Sequence, residues 1–272
     1  MSFKLNLFLV PSMMLGAIGV LAGAGCQQPD LNCTVYHGYY AAKYELESGD
    51  KTSACGMLGG DVLGLNVYYA DAGGRPDLEK GSVAIRPQYL NSLVFYALER
   101  GIADLSTDPN AQAVGDFDAG LPAEDDFCEA PKFGATQLDI PDVPEQVEVV
   151  DDPETPDVDE TVPYAPPQAA TSVSYEWTNV RVLVNADAQG TQLAADLRFE
   201  QDGCVAEYRV TALYPVVACA SDEDCDDDAN GINPGFSTVC DNGLASAAQY
   251  FLGDPEFTGG LCVLAEEPPS YK

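Results

Sequence analysis

Apolar and polar residues alternate along much of the chain, and this pattern predicts a mainly β protein. Between residues 34 and 46, Tyr36, Tyr40 and Tyr44 occupy one face of an extended segment while Lys43 and Glu45 occupy the other. A period of two with aromatic side chains is typical of a half-buried strand. Residues 62–70 and 82–86 are two further apolar runs of strand length. The first third of the chain is therefore expected to supply three strands.

The pattern changes to a helical period after Pro87. Leu90, Leu93, Val94 and Ala97 recur at intervals of three and four, and Gly101 follows the last of the periodic residues. Proline at the start and glycine just past the end are typical of helix boundaries. The sequence predicts an amphipathic helix here and a second, short helix across residues 244–251.

Three alternating segments in the last hundred residues predict an antiparallel meander. They cover residues 173–184, 193–200 and 204–214, and the last two are joined by Asp202-Gly203, a dipeptide favoured in two-residue hairpins. The predicted fold class is mainly β with one or two short helices. It is an antiparallel β-sandwich or barrel-like sheet with a disulfide-rich C-terminal tail.

Residues 1–25 have the features of a signal peptide. Lys4 precedes an apolar run, and Ala22-Gly23-Ala24-Gly25 leads into Cys26. The segment resembles the lipobox of bacterial lipoproteins, in which the cysteine is acylated with fatty acids such as palmitate and becomes the new N-terminus. Gly23 departs from the Leu, Val or Ile usual there, so an ordinary secretory signal or an uncleaved anchor are alternatives. By resemblance to known sorting rules, Gln27 favours the outer membrane.

The rest of the chain divides by composition into three parts. Residues 26–137 and 172–272 are expected to form the two parts of one β domain, the second comprising the meander and the cysteine-rich tail. Residues 138–171 are rich in acids and prolines, and neither lysine nor arginine occurs between Lys132 and Arg181. This segment is predicted to be an extended loop or linker. It is either functional, as a binding segment for a basic partner or as a spacer, or a tolerated insertion, and the insertion is preferred.

The cysteine count supports lipidation at Cys26. Nine cysteines become eight if Cys26 carries lipid, and an even number in an exported chain predicts up to four disulfides. Proximity in sequence favours pairing Cys33 with Cys55 and placing the last four in one C-terminal cluster. Zinc is disfavoured because there is no CxxC pair and His37 is the one histidine. The candidates are Cys33, Cys55, Cys128, Cys204, Cys219, Cys225, Cys240 and Cys262.

The charge balance restricts the partners. Lysine and arginine total 12 against 44 aspartates and glutamates, giving a formal net charge of −32. Nucleic acid is excluded as a partner because phosphate binding needs clustered basic residues. The expected partners are the membrane, through the N-terminal lipid, and an envelope protein or glycan.

An acidic segment near the C-terminus provides the one candidate metal site. Asp226, Asp228 and Asn230 followed by Gly231 match the start of a calcium-binding loop. The twelfth position is Ser237 instead of the bidentate glutamate. No cofactor is otherwise expected, and an acidic surface loop is the alternative to calcium.

Catalytic motifs are absent from the sequence, so an enzyme is not expected. No GxSxG, HExxH or Walker-type motif occurs, and His37 lies alone in the first predicted strand. A carboxylate-based hydrolase remains an alternative because many acids are available. The tyrosines near residues 36–44 and 68–69 are either the edge of a β core, which is preferred, or a stacking platform for glycans or peptides.

Several segments together resemble uncharacterised cysteine-rich lipoproteins of myxobacteria and related bacteria. The resemblance implies no activity and no site residues. We therefore expect a non-enzymatic, membrane-anchored lipoprotein of the bacterial envelope with a binding or assembly role. A calcium-dependent surface or adhesion module and the hydrolase are the alternatives. Besides the lipobox, the segments are residues 175–182, 189–192, 208–210, 213–215 and 231–234, with Cys204 and the Val239-Cys240-Asp241 sequence.

Overall fold

A computed structural model describes residues 31–151 and 159–272, and the side chains of residues 31–146 and 166–272. The predicted signal peptide and Cys26 lie outside the described residues. Residues 31–272 form one compact unit. The strands are β1 (Gly38–Ser48), β2 (Gly60–Asp71), β3 (Pro76–Pro87), β4 (Ala113–Asp116), β5 (Phe127–Lys132), β6 (Thr136–Ile140), β7 (Gln146–Asp151), β8 (Asp159–Ala165), β9 (Thr171–Val184), β10 (Gln189–Gln201), β11 (Cys204–Leu213), β12 (Ala218–Cys219), β13 (Thr238–Asp241) and β14 (Gly260–Leu264).

The main sheet is antiparallel and curls into a nearly closed barrel. Its strands follow the order β4-β3-β2-β1-β11-β10-β9-β5, and β6 also pairs with β9. The two ends of this order meet, because Gly115 of β4 forms a bridge to Phe133, which directly follows β5, and the Gly134 N–H donates to the Val114 carbonyl at 2.9 Å. The prediction of a mainly β, barrel-like fold is confirmed.

The predicted meander is present as β9, β10 and β11. β10 and β11 pair continuously from Gln192 opposite Leu213 to Gln201 opposite Cys204, whereas the pairing of β9 with β10 shifts in register between Ala194 and Asp196. Asp202 and Gly203 between β10 and β11 have φ angles of 52° and 80°. Positive φ at both turn positions matches the twist of the two strands, which explains why the Asp-Gly dipeptide marks this hairpin.

The interior of the barrel holds large aromatic residues and one face of a helix. Trp177, Tyr175 and Phe199 are fully buried there, and the helix α1 (Gln88–Glu99) adds Leu90 and Val94 to the same core. The predicted helix is thus confirmed, although Pro87 ends β3 and caps the helix instead of being its first residue. In the described ranges no helix is both long and apolar enough to cross a membrane.

The C-terminal tail covers part of the outer face of the barrel. It contains α2 (Asp222–Cys225), α3 (Ala245–Leu252) and the small sheet β12-β14-β13. Leu244, Leu261 and Val263 of the tail are buried against Ala41 and Val62, which point outward from β1 and β2. The tail is therefore stabilised by apolar burial as well as by disulfides.

All eight cysteines in the described residues are paired. The disulfides are Cys33–Cys128, Cys55–Cys204, Cys219–Cys240 and Cys225–Cys262. The C-terminal cluster was predicted correctly, but the pairing of Cys33 with Cys55 was wrong. Cys33 precedes β1 and Cys55 follows it, and a strand of eleven residues is about 35 Å long, so the two cysteines lie towards its opposite ends.

The acidic segment 138–171 is only partly the loop that its composition predicts. Leu138 and Ile140 lie in β6 and are buried, and Val143 is also buried. The loop prediction is wrong for these residues. It was based on the acid and proline content of the whole segment, which does not reveal a short run of alternating apolar and polar residues. The strands β7 and β8 pair with each other farther along, and residues 152–158 lie outside the described ranges.

Candidate functional site

The pairing of the other cysteines bears on the lipidation candidate, Cys26. Cys26 lies outside the described residues, and the eight cysteines that follow it pair among themselves in four disulfides. None of these eight is therefore left as a disulfide partner for Cys26. Lipidation itself stays a prediction.

The three calcium candidates lie close in sequence, but two of them already have protein partners. Asp226 forms an ion pair with Lys272, with 2.7 Å between Oδ1 and Nζ. The Asn230 Oδ1 accepts a hydrogen bond from the Ile232 N–H at 2.7 Å. Asp228 is exposed. Among the described residues, the one group of three candidate ligands with mutually close ligand atoms is Cys219, Cys225 and Cys262, which are all in disulfides. Calcium binding stays one of two predictions for this segment, beside the acidic surface loop.

A buried carboxylate that the sequence does not reveal lies in a pocket of about 240 Å³, which we call the Asp61 pocket. Asp61 of β2 is only 6% exposed. The Tyr89 N–H at the start of α1 donates to both carboxylate oxygens, at 3.3 and 3.1 Å, and the Val62 N–H donates to Oδ1 at 2.7 Å. The pocket is lined by Tyr44, Leu58, Gly60, Asp61, Gln88, Tyr89, Ser92, Tyr175, Ser246, Ala247 and Tyr250.

Burial decides the protonation of Asp61. Removal from water raises the pKa of its carboxyl group from 3.8 to about 7, and the two N–H donors, Tyr89 and Val62, oppose the rise. Burial also raises the pKa of Tyr44 and Tyr175 well above the usual value, and the Asp61 charge adds to both increases. The Tyr44 hydroxyl is buried with no hydrogen-bond partner in the described part of the chain.

The contacts of Asp61 indicate a structural role. Pro87 caps α1 but has no side-chain acceptor, so the first N–H groups of the helix need a partner from elsewhere. Asp61 supplies it from a neighbouring strand. It is also the one acid that lines the Asp61 pocket, whereas glycoside hydrolysis by the common mechanism uses two facing carboxyl groups. This pocket therefore has one carboxyl group where that mechanism uses two, and the hydrolase stays an alternative.

A second cavity, about 520 Å³, lies on the outer face of β1, β2 and β3 beside α1, and we call it the acid-free groove. Its eleven lining residues include no Asp or Glu, although the chain has 44 such residues. They include one arginine, one histidine, one tyrosine and four side-chain amides. The lining residues are His37, Gly38, Tyr39, Gly64, Leu65, Asn66, Ala84, Arg86, Gln88, Asn91 and Gln112.

Strand register sets the arrangement at the centre of the groove. Tyr39 of β1 lies opposite Gly64 of β2, and Gly64 lies opposite Arg86 of β3. The three residues form one row across three strands, with the glycine in the middle. Because neighbouring strands are about 4.8 Å apart, the backbones of Tyr39 and Arg86 are about 10 Å apart, with β2 between them. Sequence spacing alone cannot reveal this row, since it depends on how the strands pair.

The structure separates the tyrosines that the sequence grouped together. Tyr40 and Tyr44 are buried in the core, whereas Tyr36, Tyr39 and Tyr68 are each more than half exposed. The Tyr39 ring contacts the Phe251 ring of α3 edge to face, with 5.8 Å between centroids. The preferred core interpretation thus holds for some of the tyrosines, while Tyr39 presents an aromatic surface to the groove.

The barrel-like sheet, the four disulfides and the tail on its outer face define a disulfide-braced, mainly β protein. The chain belongs to the MlpA family, whose model matches residues 38–215. The matched region starts with β1 and ends just after β11, so it spans the whole main sheet and excludes the cysteine-rich tail. No solved structure matches the chain.

One relative is similar over nearly its full length. It is described as "Putative lipoprotein MlpA" of Myxococcus xanthus and is 28% identical over 279 residues, covering 98% of this chain and 99% of that protein. This similarity confirms the resemblance to myxobacterial lipoproteins and supports a lipoprotein role for this chain.

Proposed function

We propose that this protein is a non-enzymatic lipoprotein, held at the outer membrane of the bacterial envelope by acylated Cys26, with a binding role carried by its barrel-like domain. The observation that carries the proposal is that all eight cysteines after Cys26 pair with one another. Four disulfides suit an oxidising compartment outside the cytoplasm. They also leave Cys26 as the odd thiol at the position where the lipobox pattern expects an acylated residue.

The binding role is supported by the two cavities. The Asp61 pocket contains a single acid whose hydrogen bonds cap a helix, and the acid-free groove contains none. Both are concave sites with convergent polar groups, which is the usual form of a ligand site.

Cell fractionation tests the anchoring. The wild-type protein is expected in the membrane fraction and to require detergent for release, whereas Cys26→Ser is expected in the soluble envelope fraction or as an uncleaved precursor. Gln27→Ser, which changes the neighbouring residue and keeps the cysteine, is the matched control and is expected to stay with the membrane. A wild-type protein released without detergent, or a fully processed Cys26→Ser variant that stays in the membrane, would contradict the proposal.

A further inference from the structure

We propose that the acid-free groove binds an acidic saccharide, with the sugar ring against Tyr39 and its carboxylate on Arg86. This inference rests on the proposed binding role and adds the chemical class of the ligand. It is carried by the row Tyr39, Gly64 and Arg86, and by the unused hydrogen-bonding groups around that row.

The backbone conformation of Gly64 does not require a glycine. Its backbone does not have the positive φ that favours glycine, and an added Cβ would meet its nearest atoms, the Arg86 carbonyl oxygen and the Tyr39 ring, at 3.5 and 3.7 Å. These are ordinary van der Waals distances. Glycine inside a strand weakens it and often marks a place that a ligand approaches closely. The Tyr39 ring lies over Gly64 at this distance, and the absent side chain leaves the sheet surface between the ring and Arg86 uncovered.

Arg86 is available to a ligand. Its side chain forms no ion pair in the described part of the chain and one hydrogen bond there, from Nη1 to the Ser106 carbonyl, which is long at 3.5 Å. A guanidinium group matches the geometry of a carboxylate and binds it through two parallel hydrogen bonds. The chain has 44 acidic residues, yet Arg86 is not paired with any of them in the described ranges. The reason is that no Asp or Glu lines the groove around it.

The rim of the groove is suited to hydroxyl groups. The side chains of Asn66, Gln88, Asn91 and Gln112 lie there, and the Gln88 Oε1 is buried with no partner in the described ranges. Amide side chains both donate and accept, as hydroxyl groups do. Tyr39, 56% exposed, provides the apolar face on which the C–H side of a sugar ring packs. The three features together match a hydroxyl-rich ring that bears a carboxylate.

The test is calorimetric titration of the full-length protein in detergent micelles. The probes are glucuronate and N-acetylmuramic acid, which carry the carboxylate on different parts of the sugar, and glucose as the neutral comparison. At least one acidic sugar is expected to bind at least tenfold more tightly than glucose. Which of the two binds identifies the source as a uronic-acid glycan or a cell-wall glycan.

Two variants and one control complete the test. Arg86→Gln is expected to reduce the preference for the acidic sugar at least tenfold. Gly64→Val is expected to abolish binding while the protein still folds, because valine suits a strand and its methyl groups displace the Tyr39 ring from the position that the sugar needs. Arg198→Gln, which removes an arginine paired with Glu200 on another part of the sheet, is expected to bind like the wild type.

Several results would overturn the inference. These are equal binding of glucose and both acidic sugars, absence of binding to any of them, unchanged binding by a folded Gly64→Val variant, or the same loss in Arg198→Gln as in Arg86→Gln. The titration does not depend on the lipid, and the fractionation of Cys26→Ser does not depend on the groove. Failure of this inference is therefore distinguishable from failure of the proposed anchoring.

Discussion

Asp61 shows how one buried residue links the sheet to the helix. Its carboxylate accepts hydrogen bonds from the Tyr89 and Val62 N–H groups, which stabilises the start of α1. Burial nevertheless raises its pKa to about 7. The folded protein therefore holds a proton on Asp61 at pH values where the unfolded chain has already lost it.

This difference predicts how stability depends on pH. Because the folded-state pKa is raised, the stabilising effect of the proton is fully present below pH 4 and is lost as the pH rises through about 7. Between pH 5 and pH 8 the contribution of Asp61 is expected to fall by about 3 kcal/mol. Asp61→Asn, which keeps an acceptor for Tyr89, is expected to remove this part of the pH dependence.

Urea denaturation at pH 5 and pH 8 measures the effect. Asp224→Asn is the control, because hydrogen bonds from the Ala220 and Ser221 N–H groups lower the pKa of Asp224, and its removal should not change the slope in this range. If Asp61→Asn and the wild type lose equal stability between the two pH values, the assignment of a raised pKa to Asp61 is wrong.

The contacts of Asp226 and Asn230 lead to a prediction about calcium. Two of the three candidate ligands already bind Lys272 and the Ile232 N–H. Calcium is therefore expected to raise the melting temperature no more than magnesium does. A calcium-specific increase that disappears in the Asp226→Asn, Asp228→Asn double variant would instead establish the calcium loop.

The residues that define the cavities were the least predictable from sequence. Asp61 acts on a helix that begins 27 positions later, and Gly64 matters only because Tyr39 and Arg86 lie on either side of it. Both sets of contacts depend on which residues face each other on neighbouring strands, and the alternation of apolar and polar residues does not specify this register. The sequence did contain one relevant signal, since the proline that caps α1 left the helix without a side-chain acceptor of its own.

Elements with strong local signals were predicted well. The meander β9-β10-β11 has long alternating segments and an Asp-Gly turn, and α1 has a clear helical period. Short strands in irregular segments, such as β4, β5 and β6, were missed because each depends on pairing with a distant strand. The error in pairing Cys33 with Cys55 has a different origin, since the strand predicted between them already places the two cysteines towards its opposite ends.

The disulfides are expected to differ in their contribution to stability. Cys55–Cys204 closes a loop of 149 residues and Cys219–Cys240 one of 21. Chain entropy predicts a cost of about 5 kcal/mol for losing the first and about 3 kcal/mol for losing the second. Urea denaturation of two double variants makes the comparison. One carries Cys55→Ser with Cys204→Ser, and the other carries Cys219→Ser with Cys240→Ser. A larger loss from the second pair would show that packing of the tail outweighs loop length.

At the scale of the whole molecule, the fold combines an acidic surface with a neutral or basic groove. The net charge of −32 disfavours anionic macromolecules at long range, whereas the acid-free groove favours a small anion at short range. A ligand with one carboxylate on a hydroxyl-rich ring carries little charge for the acidic surface to repel and still provides an anion for the groove. The family match covers the sheet that builds this groove, and the tail supports it through the contact of Phe251 with Tyr39.

The anchoring of this domain depends on a residue before the first described strand. Mass spectrometry of the protein extracted from membranes identifies its mature N-terminus and any attached acyl chains. The account predicts a chain that begins at Cys26 and carries fatty acyl groups on that residue. A chain that begins elsewhere, or an unmodified Cys26 in the membrane-extracted protein, would contradict it.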